Sequence, residues 1–422
     1  MNGAGLAAAA TVLGLVAAGN AAIVPGPVTP DIGSSAVTPW NPPVKLAPRS
    51  FGVFDRGAAL SDEIAAVIWA GARGVRVRVR EPGVGWRRTV RLDGRGSDSP
   101  RISVNDRGDL AAAWTKTGPR RTLLRVARRP AGGQWTKPST LARGTPAFGT
   151  DEPDVSIGPL GKITVALSYR RRGDSTSRPR VFSLIDGRWG RAVALTRRFG
   201  NSVRVVTGPE GHVTAAWLNN SGVRCVSNGA GRAWTRARCW KRPRTGLNME
   251  LAIDNTGRVY LMTYNRVWSR APGTGWRREP VPFGKFVAFP EGEAFSIDSS
   301  SAGRAAVAWS HGRQTGRADI DWTTFASVRR TDGTWTPRVR LARRPAPSTA
   351  ITDRGTTYVA WSGRLGIRVA RKPAGQPWGH PRGIVGKPQS VVPLIVVNPE
   401  GNALLAFQRG LSRSSLWAAW RP

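Results

Sequence analysis

An all-β fold built as an eight-bladed β-propeller of four-stranded antiparallel blades is what this sequence predicts, with seven blades as the alternative count. Three observations carry it. A short unit recurs along the chain: an apolar strand, a tight turn ending in glycine, and a second apolar strand closing on an aromatic residue, as in Ile102–Trp114, ISVNDRGDLAAAW. The closing aromatics, Trp69, Trp114, Tyr169, Trp217, Tyr264, Trp309, Trp361 and Phe407, are 45 to 55 residues apart. A second series, Trp40, Trp86, Trp135, Trp189, Trp234, Trp276, Trp335 and Trp378, opens the last strand of each unit. Four strands repeated at this period are the signature of propeller blades.

The N-terminus comes first in chain order. Gly3–Gly19 is apolar, Ala/Leu-rich and uncharged, and small residues follow it, which reads as a signal peptide over 1–22 with cleavage near 19–22. The run is short for a membrane span. Its first three residues, MNG, lack the usual basic charge, so an uncleaved anchor is the rival reading. Residues 23–36 are a Pro/Gly/Ser spacer, and 37–422 form a single propeller domain.

Within the repeat, the turn pattern is a turn former, two residues, then glycine. It is expected at Phe54–Gly57, Asn105–Gly108, Gly158–Gly161, Gly208–Gly211, Asp254–Gly257, Ser300–Gly303, Thr352–Gly355 and Asn398–Gly401. Pro in second place (Pro159, Pro209, Pro399) suits a type I turn with a left-handed glycine, which is a hairpin connection. In the second unit the strands are expected at Arg101–Val104, Leu110–Trp114, Thr122–Arg128 and Gln134–Leu141. The last segment, Ser415–Pro422, aligns with third strands, and Pro39–Pro48 aligns with fourth strands. The N-terminal segment is therefore expected to complete the eighth blade and close the ring, which removes free edges.

The unit strand–(D/N)xxG–strand–Trp, followed by a strand ending in RRPAGG-W, resembles the bacterial neuraminidase-type repeats of sialidase-like propellers, especially secreted repeat proteins. The likeness covers nearly all of the chain after its leader and lies in the repeat, not in catalytic residues. The sialidase Asp box is not kept: in Thr331-Asp332-Gly333-Thr334-Trp335 the Asp stands too close to the Trp. The resemblance implies a nucleophilic Tyr with a Glu partner and an Arg cluster. Of the four tyrosines, Tyr169 and Tyr264 are expected in the core, and Tyr260 and Tyr358 lie inside second strands.

The chain carries 64 Lys and Arg against 26 Asp and Glu, a net charge of +38, and only eight of the basic residues are Lys. Such an excess favours polyanionic partners, or else it solvates the surface of an arginine-rich chain. In Val75–Arg80, VRVRVR, three arginines share one face, read as a polyanion contact or a solvated polar face. Of the 18 Trp, the five outside both series (Trp240, Trp268, Trp322, Trp417, Trp420) are expected to pack outer strands, with sugar stacking as the rival role.

The connections between second and third strands, and between blades, vary in length, and variable loops on a regular scaffold are where sites form. Catalytic candidates from that face are Asp151, Glu152, Asp154 and Glu250, beside Asp98, Glu291 and Glu293. Ligand-binding candidates are Arg120, Arg121, Arg170, Arg266, His311, Arg313 and Arg364, with Arg171 and Arg172 alongside. Paired carboxylates would suit glycoside chemistry. Cys225 and Cys239 flank a turn-forming stretch and read as a disulfide in an exported chain. No metal-ligand spacing, phosphate loop or nucleophile elbow occurs, so no cofactor is expected.

The expected protein is thus a secreted or envelope-associated monomeric binding module for an anionic polysaccharide or other polyanion, with nucleic acid less favoured. The alternative is a sialidase-like, glycan-active hydrolase or lyase.

Overall fold

The computed structural model describes residues 39–422 apart from short stretches at 49–54, 145–151, 171–175, 220–223, 231–232, 241–248, 264–265, 284–294, 315–319, 345, 364–365, 387–392 and 411–413. Eight antiparallel sheets are present, and each spans one repeat. The innermost strands are Asp55–Leu60, Ser97–Val104, Asp154–Ile157, Asn201–Thr207, Met249–Ile253, Phe295–Ser299, Ser348–Ile351 and Leu394–Val397. Each packs against the innermost strands of the blades before and after it, and the first touches the eighth. The repeat therefore closes into an eight-bladed propeller, and seven blades are ruled out.

Closure follows the expected route. Val44–Ala47 pairs with Ser415–Arg421, with Val44 opposite Ala418 and Lys45 opposite Trp417, and Asn41 donates its N–H to the Trp420 carbonyl at 2.8 Å.

Seven of the eight expected turns are observed. In the second blade the Gly108 N–H donates to the Asn105 carbonyl at 2.9 Å, with Gly108 at φ 83°. The first blade differs: Gly57 lies inside a strand opposite Ile68, and the chain reverses at 61–64, where Ser61 bonds to the Ile64 carbonyl. That reversal carries no glycine, so the pattern settled on a nearby Phe-x-x-Gly that is not a turn.

Trp69, Trp114, Trp217, Trp309, Trp361 and Phe407 are essentially inaccessible and fill the spaces between blades. In the third blade Tyr169 lies two residues beyond the equivalent position, which holds Leu167; Tyr169 stacks on Phe182 instead. Tyr264 lies outside the described residues. Trp240 stacks on Trp268 at 5.9 Å and meets Trp276 edge-on. Trp420 lies beneath Arg80, and Trp417 beneath Arg409. These four leftover tryptophans are packing residues. Outer strands are shorter than expected: in the second blade the strand is Ser139–Gly144, because Pro138 interrupts pairing after Trp135.

The third strands reveal how part of the arginine excess is used. At the position opposite the second residue after the turn, six of the eight blades carry a basic residue: Arg80, Arg129, Arg270, Arg329, Lys372 and Arg421. Four of these reach back into the preceding blade. Arg129 bonds to Glu81, Arg329 to Glu279, Arg421 to the Tyr358 hydroxyl, and Arg80 sits 4.4 Å over the Trp420 ring. Arg78 donates to the carbonyl of Lys45 in the closing strand. Two of the three arginines on the polar face of Val75–Arg80, Arg78 and Arg80, are therefore turned onto the eighth blade while remaining partly exposed.

Cys225 and Cys239 occupy directly opposed positions on neighbouring antiparallel strands of the fourth blade. Residues 231–232, which connect Arg224–Ala230 to the next strand, lie outside the described residues.

Candidate functional site at the channel mouth

The inner strands of a propeller present an open backbone edge to the central channel, and buried donors there need partners. Here side chains of one blade serve the next. Asp154 accepts from the Val205 N–H at 2.8 Å, Ser296 from Thr349 at 3.1 Å, and Ser348 from Ile395 at 3.1 Å. These acceptors stand seven residues before the turn glycine, and each serves the residue that stands six before the next one. Five before the glycine, Ser103 serves Ile157 at 3.3 Å, and Asp298 serves Ile351 at 2.9 Å.

In four consecutive blades the position seven before the glycine is charged: Arg101, Asp154, Arg204 and Glu250. Two residues earlier stand Glu152 in the third blade and, at the equivalent place in the first, Asp55. Arg101 bridges both of them: it pairs with Asp55 at 3.3 Å and bonds to Glu152. Arg204 approaches Glu152 from the other side at 3.6 Å. Four carboxylates and two guanidiniums from the first five blades thus gather at the start of the inner strands.

The backbone that delivers the two arginines is strained. Ser99 (φ 51°) and Ser202 (φ 48°) each lie two residues before a cluster arginine, in the left-handed region, and the strand register shifts at both places. Left-handed non-glycine residues and bulges cost energy and concentrate where a side chain must be re-aimed. Ala346 repeats the conformation ahead of Ser348.

The electrostatics separate the carboxyl groups. Burial pushes the Glu250 carboxyl up to about 6; Arg204 and Arg101 oppose this, while Asp154 and Glu152 add to it. Burial also raises Asp154 against the pull of Arg204 and the Val205 N–H, and raises Asp55 against Arg101. For Arg101, burial alone would lower the guanidinium, but Asp55, Glu152 and Asp154 outweigh it and hold it above its ordinary value. Glu250 forms no hydrogen bond and no ion pair among the described residues.

Of the sequence candidates, Glu152, Asp154 and Glu250 come together here. Asp151, Arg171, Arg172, Glu291, Glu293 and Arg364 lie outside the described residues. Arg120 and Arg121 are exposed in the loop between Leu110–Thr117 and Thr122–Arg129, Arg170 follows the second strand of the third blade, and Arg266 opens the third strand of the fifth. His311 and Arg313 sit in Ala305–Gln314, opposite Thr323 and Asp321. Ala305–Gln314 and Ile320–Arg329 are paired ten-residue strands, and residues 315–319 between them lie outside the described residues. These residues stand one or two strands outward from the channel. His212 lies 3.8 Å from Glu210 on the turn face, and His380 is exposed in the seventh blade.

Asp55, Arg101 and Arg204 were not singled out by sequence. Registering the repeats on their turn glycines would have found the two arginines, since the same column reads charged in four blades running. The three described tyrosines serve packing: Tyr260 bonds to the Gly303 carbonyl at 3.3 Å, Tyr358 accepts from Arg421, and Tyr169 stacks on Phe182. No group of three or more metal-ligating side chains occurs among the described residues.

No family model matches the chain, and no curated protein matches it. Solved structures do. A polysaccharide lyase, Uly1, aligns at 9% identity over 74% of this chain and 88% of its own, with a TM-score of 0.49. An α-L-arabinofuranosidase from Fusarium graminearum aligns at 12% identity over 90% and 97%, with a TM-score of 0.44. The WD40 domain of SCAP from fission yeast aligns at 9% identity over 93% and 97%, with a TM-score of 0.49. Likenesses this distant carry no functional argument.

Proposed function

We propose that this protein is a glycan-active enzyme that cleaves a neutral polysaccharide at the channel mouth by general acid–base catalysis. The observation that carries the reading is the cluster around Glu250, a carboxyl raised by burial to about 6 and without a hydrogen bond or ion pair among the described residues, beside Glu152 engaged by Arg101 and Arg204. Two carboxyl groups whose environments push them apart are the usual basis of glycoside hydrolysis. Glu250 supplies the proton to the departing glycosidic oxygen. Glu152, exposed enough to meet substrate, acts as the carboxylate that activates water for attack at the anomeric carbon. The bond between that carbon and the leaving oxygen breaks, and water supplies the hydroxyl and, through Glu152, restores the proton.

The charge balance favours a neutral sugar. With four carboxylates against two guanidiniums, both already engaged, the cluster offers no free cation to a uronate or sialate among the described residues. That separates the reading from sialidase-type chemistry and from a module that grips an anionic ligand at this place. Export of the chain through residues 1–22, a single propeller domain after the 23–36 spacer, and a Cys225–Cys239 bond formed in an oxidising compartment belong to the same reading.

The test is release of reducing ends from arabinan, galactan, xylan and mannan by the purified protein. Cleavage of at least one is expected, reduced about 10²–10⁴-fold by Glu250→Gln, the range for loss of a general acid. Undiminished cleavage by that variant, or none by the parent on any of the four, would overturn the proposal.

A further inference from the structure

The outer strands of the eight blades, taken from their Trp onward, contain fourteen Lys and Arg, and every one is exposed. The same segments contain a single acid, Glu279, which is 3% exposed and already bonded to Arg277, Arg329 and Trp335. In the first five blades a basic residue stands two positions after the Trp (Arg88, Lys137, Arg191, Arg236 and Arg278), and in the other three it stands three to five after. The carboxylates that balance arginines elsewhere lie at the channel or between blades. The outer edge of the ring is thus a positive girdle repeated by the sequence period: Arg87 is paired with Glu81 and Arg277 with Glu279, and the other twelve cations form no ion pair among the described residues.

From this girdle we infer that the rim is a docking surface for a flexible acidic polysaccharide, engaged independently of the channel site. All fourteen charges lie on the outer-strand segments rather than on the loops between blades, and their blade-by-blade recurrence presents regularly spaced cations to a polymer with regularly spaced anions. Arginine forks match carboxylate and sulfate groups in pairs. Duplex nucleic acid is too stiff to follow so small a ring, with a persistence length of about 50 nm. Single strands bind by stacking on exposed aromatics, whereas Trp86, Trp135 and Trp234 are turned into the blades, packed on the buried clusters there. Basic residues on outer strands also discourage edge-to-edge association, and the experiment separates that role from docking.

Two fourfold variants are compared with the parent. The rim variant is Arg88→Ser, Arg191→Ser, Arg236→Ser and Arg278→Ser. The control, on the turn face, is Arg128→Ser, Lys162→Ser, Arg330→Ser and Arg354→Ser, all exposed positions. Both lose four charges. Binding to polygalacturonate, to a single-stranded DNA of matched charge and to dextran is measured across a salt series, with thermal melts confirming the fold. The parent is expected to bind polygalacturonate more tightly than the DNA and not to bind dextran. The rim variant should bind the polymer at least about tenfold more weakly, with its log–log salt slope reduced by at least about 1, because fewer counterions are released. The control should change by less than about threefold. Equal losses in both variants would show a diffuse charge effect, and tighter binding to DNA would assign the rim to nucleic acid. A rim variant that self-associates yet holds polygalacturonate as the parent does would make the girdle an edge guard. Each of these three results overturns the inference, and none of them bears on glycan cleavage.

Discussion

Replacing Glu250 by Gln should make the protein more stable at neutral pH while it destroys activity, and the size of the gain follows from the environment of the carboxyl. The ordinary value for Glu is 4.5, and burial in the channel raises it to about 6. Folding therefore takes up a proton between those values, so native stability falls as pH rises from 4.5 to 6 and the penalty is complete above 6. A shift of this size corresponds to about 2 kcal/mol. Gln keeps the shape and carries no charge, so it escapes the penalty. For a propeller of this length, about 2 kcal/mol is a rise of roughly 2–3 °C in melting temperature. Thermal unfolding followed by tryptophan fluorescence at pH 4 and pH 7.5 measures it. The variant and parent should melt together at pH 4 and separate at pH 7.5, with the variant higher. A gap of the same size at both pH values would show that folding does not raise the Glu250 pKa, and a variant that melts lower at pH 7.5 would show that Glu250 is held as a stabilising carboxylate; either would remove the basis for its role as an acid. Asp298, also raised to about 6 by burial, titrates in the same window, and comparison of the two proteins cancels its contribution.

Cleavage should be bell-shaped in pH: the alkaline limb falls through about pH 6 as Glu250 loses its proton, and Glu250→Gln removes that limb from the residual rate. Arg329→Ala should destabilise, by less than the about 3–5 kcal/mol of a fully stranded buried charge, because Arg277, Ser269 and Trp335 still hold the Glu279 carboxylate, and a lowered urea midpoint reads it. Glu279 itself is raised by burial, but the Ser269 hydroxyl, the Trp335 indole and Arg329 overcome this and hold it below its ordinary value. Its contribution is present above pH 4.5 and is lost on acidification, so the deficit of the Arg329 variant should shrink at low pH. Mass measurement before and after reduction should show a Cys225–Cys239 bond, and reduction should cost about 3 kcal/mol for a loop of that size. An unchanged mass would place the two thiols as separate.

Much of the architecture was legible because propellers write their period into hydrophobic spacing and turn chemistry. The Trp series, the turn glycines and the match of Pro39–Pro48 to fourth strands each name an element that exists. The misplaced turn at Phe54–Gly57 shows the limit: without a glycine, the reversal at 61–64 had no local signal. The partners of VRVRVR were hidden in a different way: ring closure makes the eighth blade a neighbour of the first, but alternation does not say which of the two faces turns onto it. The channel cluster was half visible. Glu152, Asp154 and Glu250 stood out as carboxylates at blade entries, whereas Arg101 and Arg204 were lost among 56 arginines. What marks those two is position in the repeat and the strained serine ahead of each, and the backbone angle is written only in the structure.

Closure of the eighth blade by Val44–Ala47 sets an order in time. The ring cannot be sealed until Ser415–Arg421 exists to receive a strand synthesised far earlier. Until then the first blade has no eighth neighbour: Arg78 lacks the Lys45 carbonyl in its sealed position, and Arg80 has no Trp420 to lie over. The channel mouth draws on the first five blades and depends on their angular spacing, so its geometry is fixed only at that last event. A chain missing its final strand would keep every carboxylate and arginine of the cluster and still fail to hold them in place. Completeness of the polypeptide is thereby checked by the fold itself before the site can work.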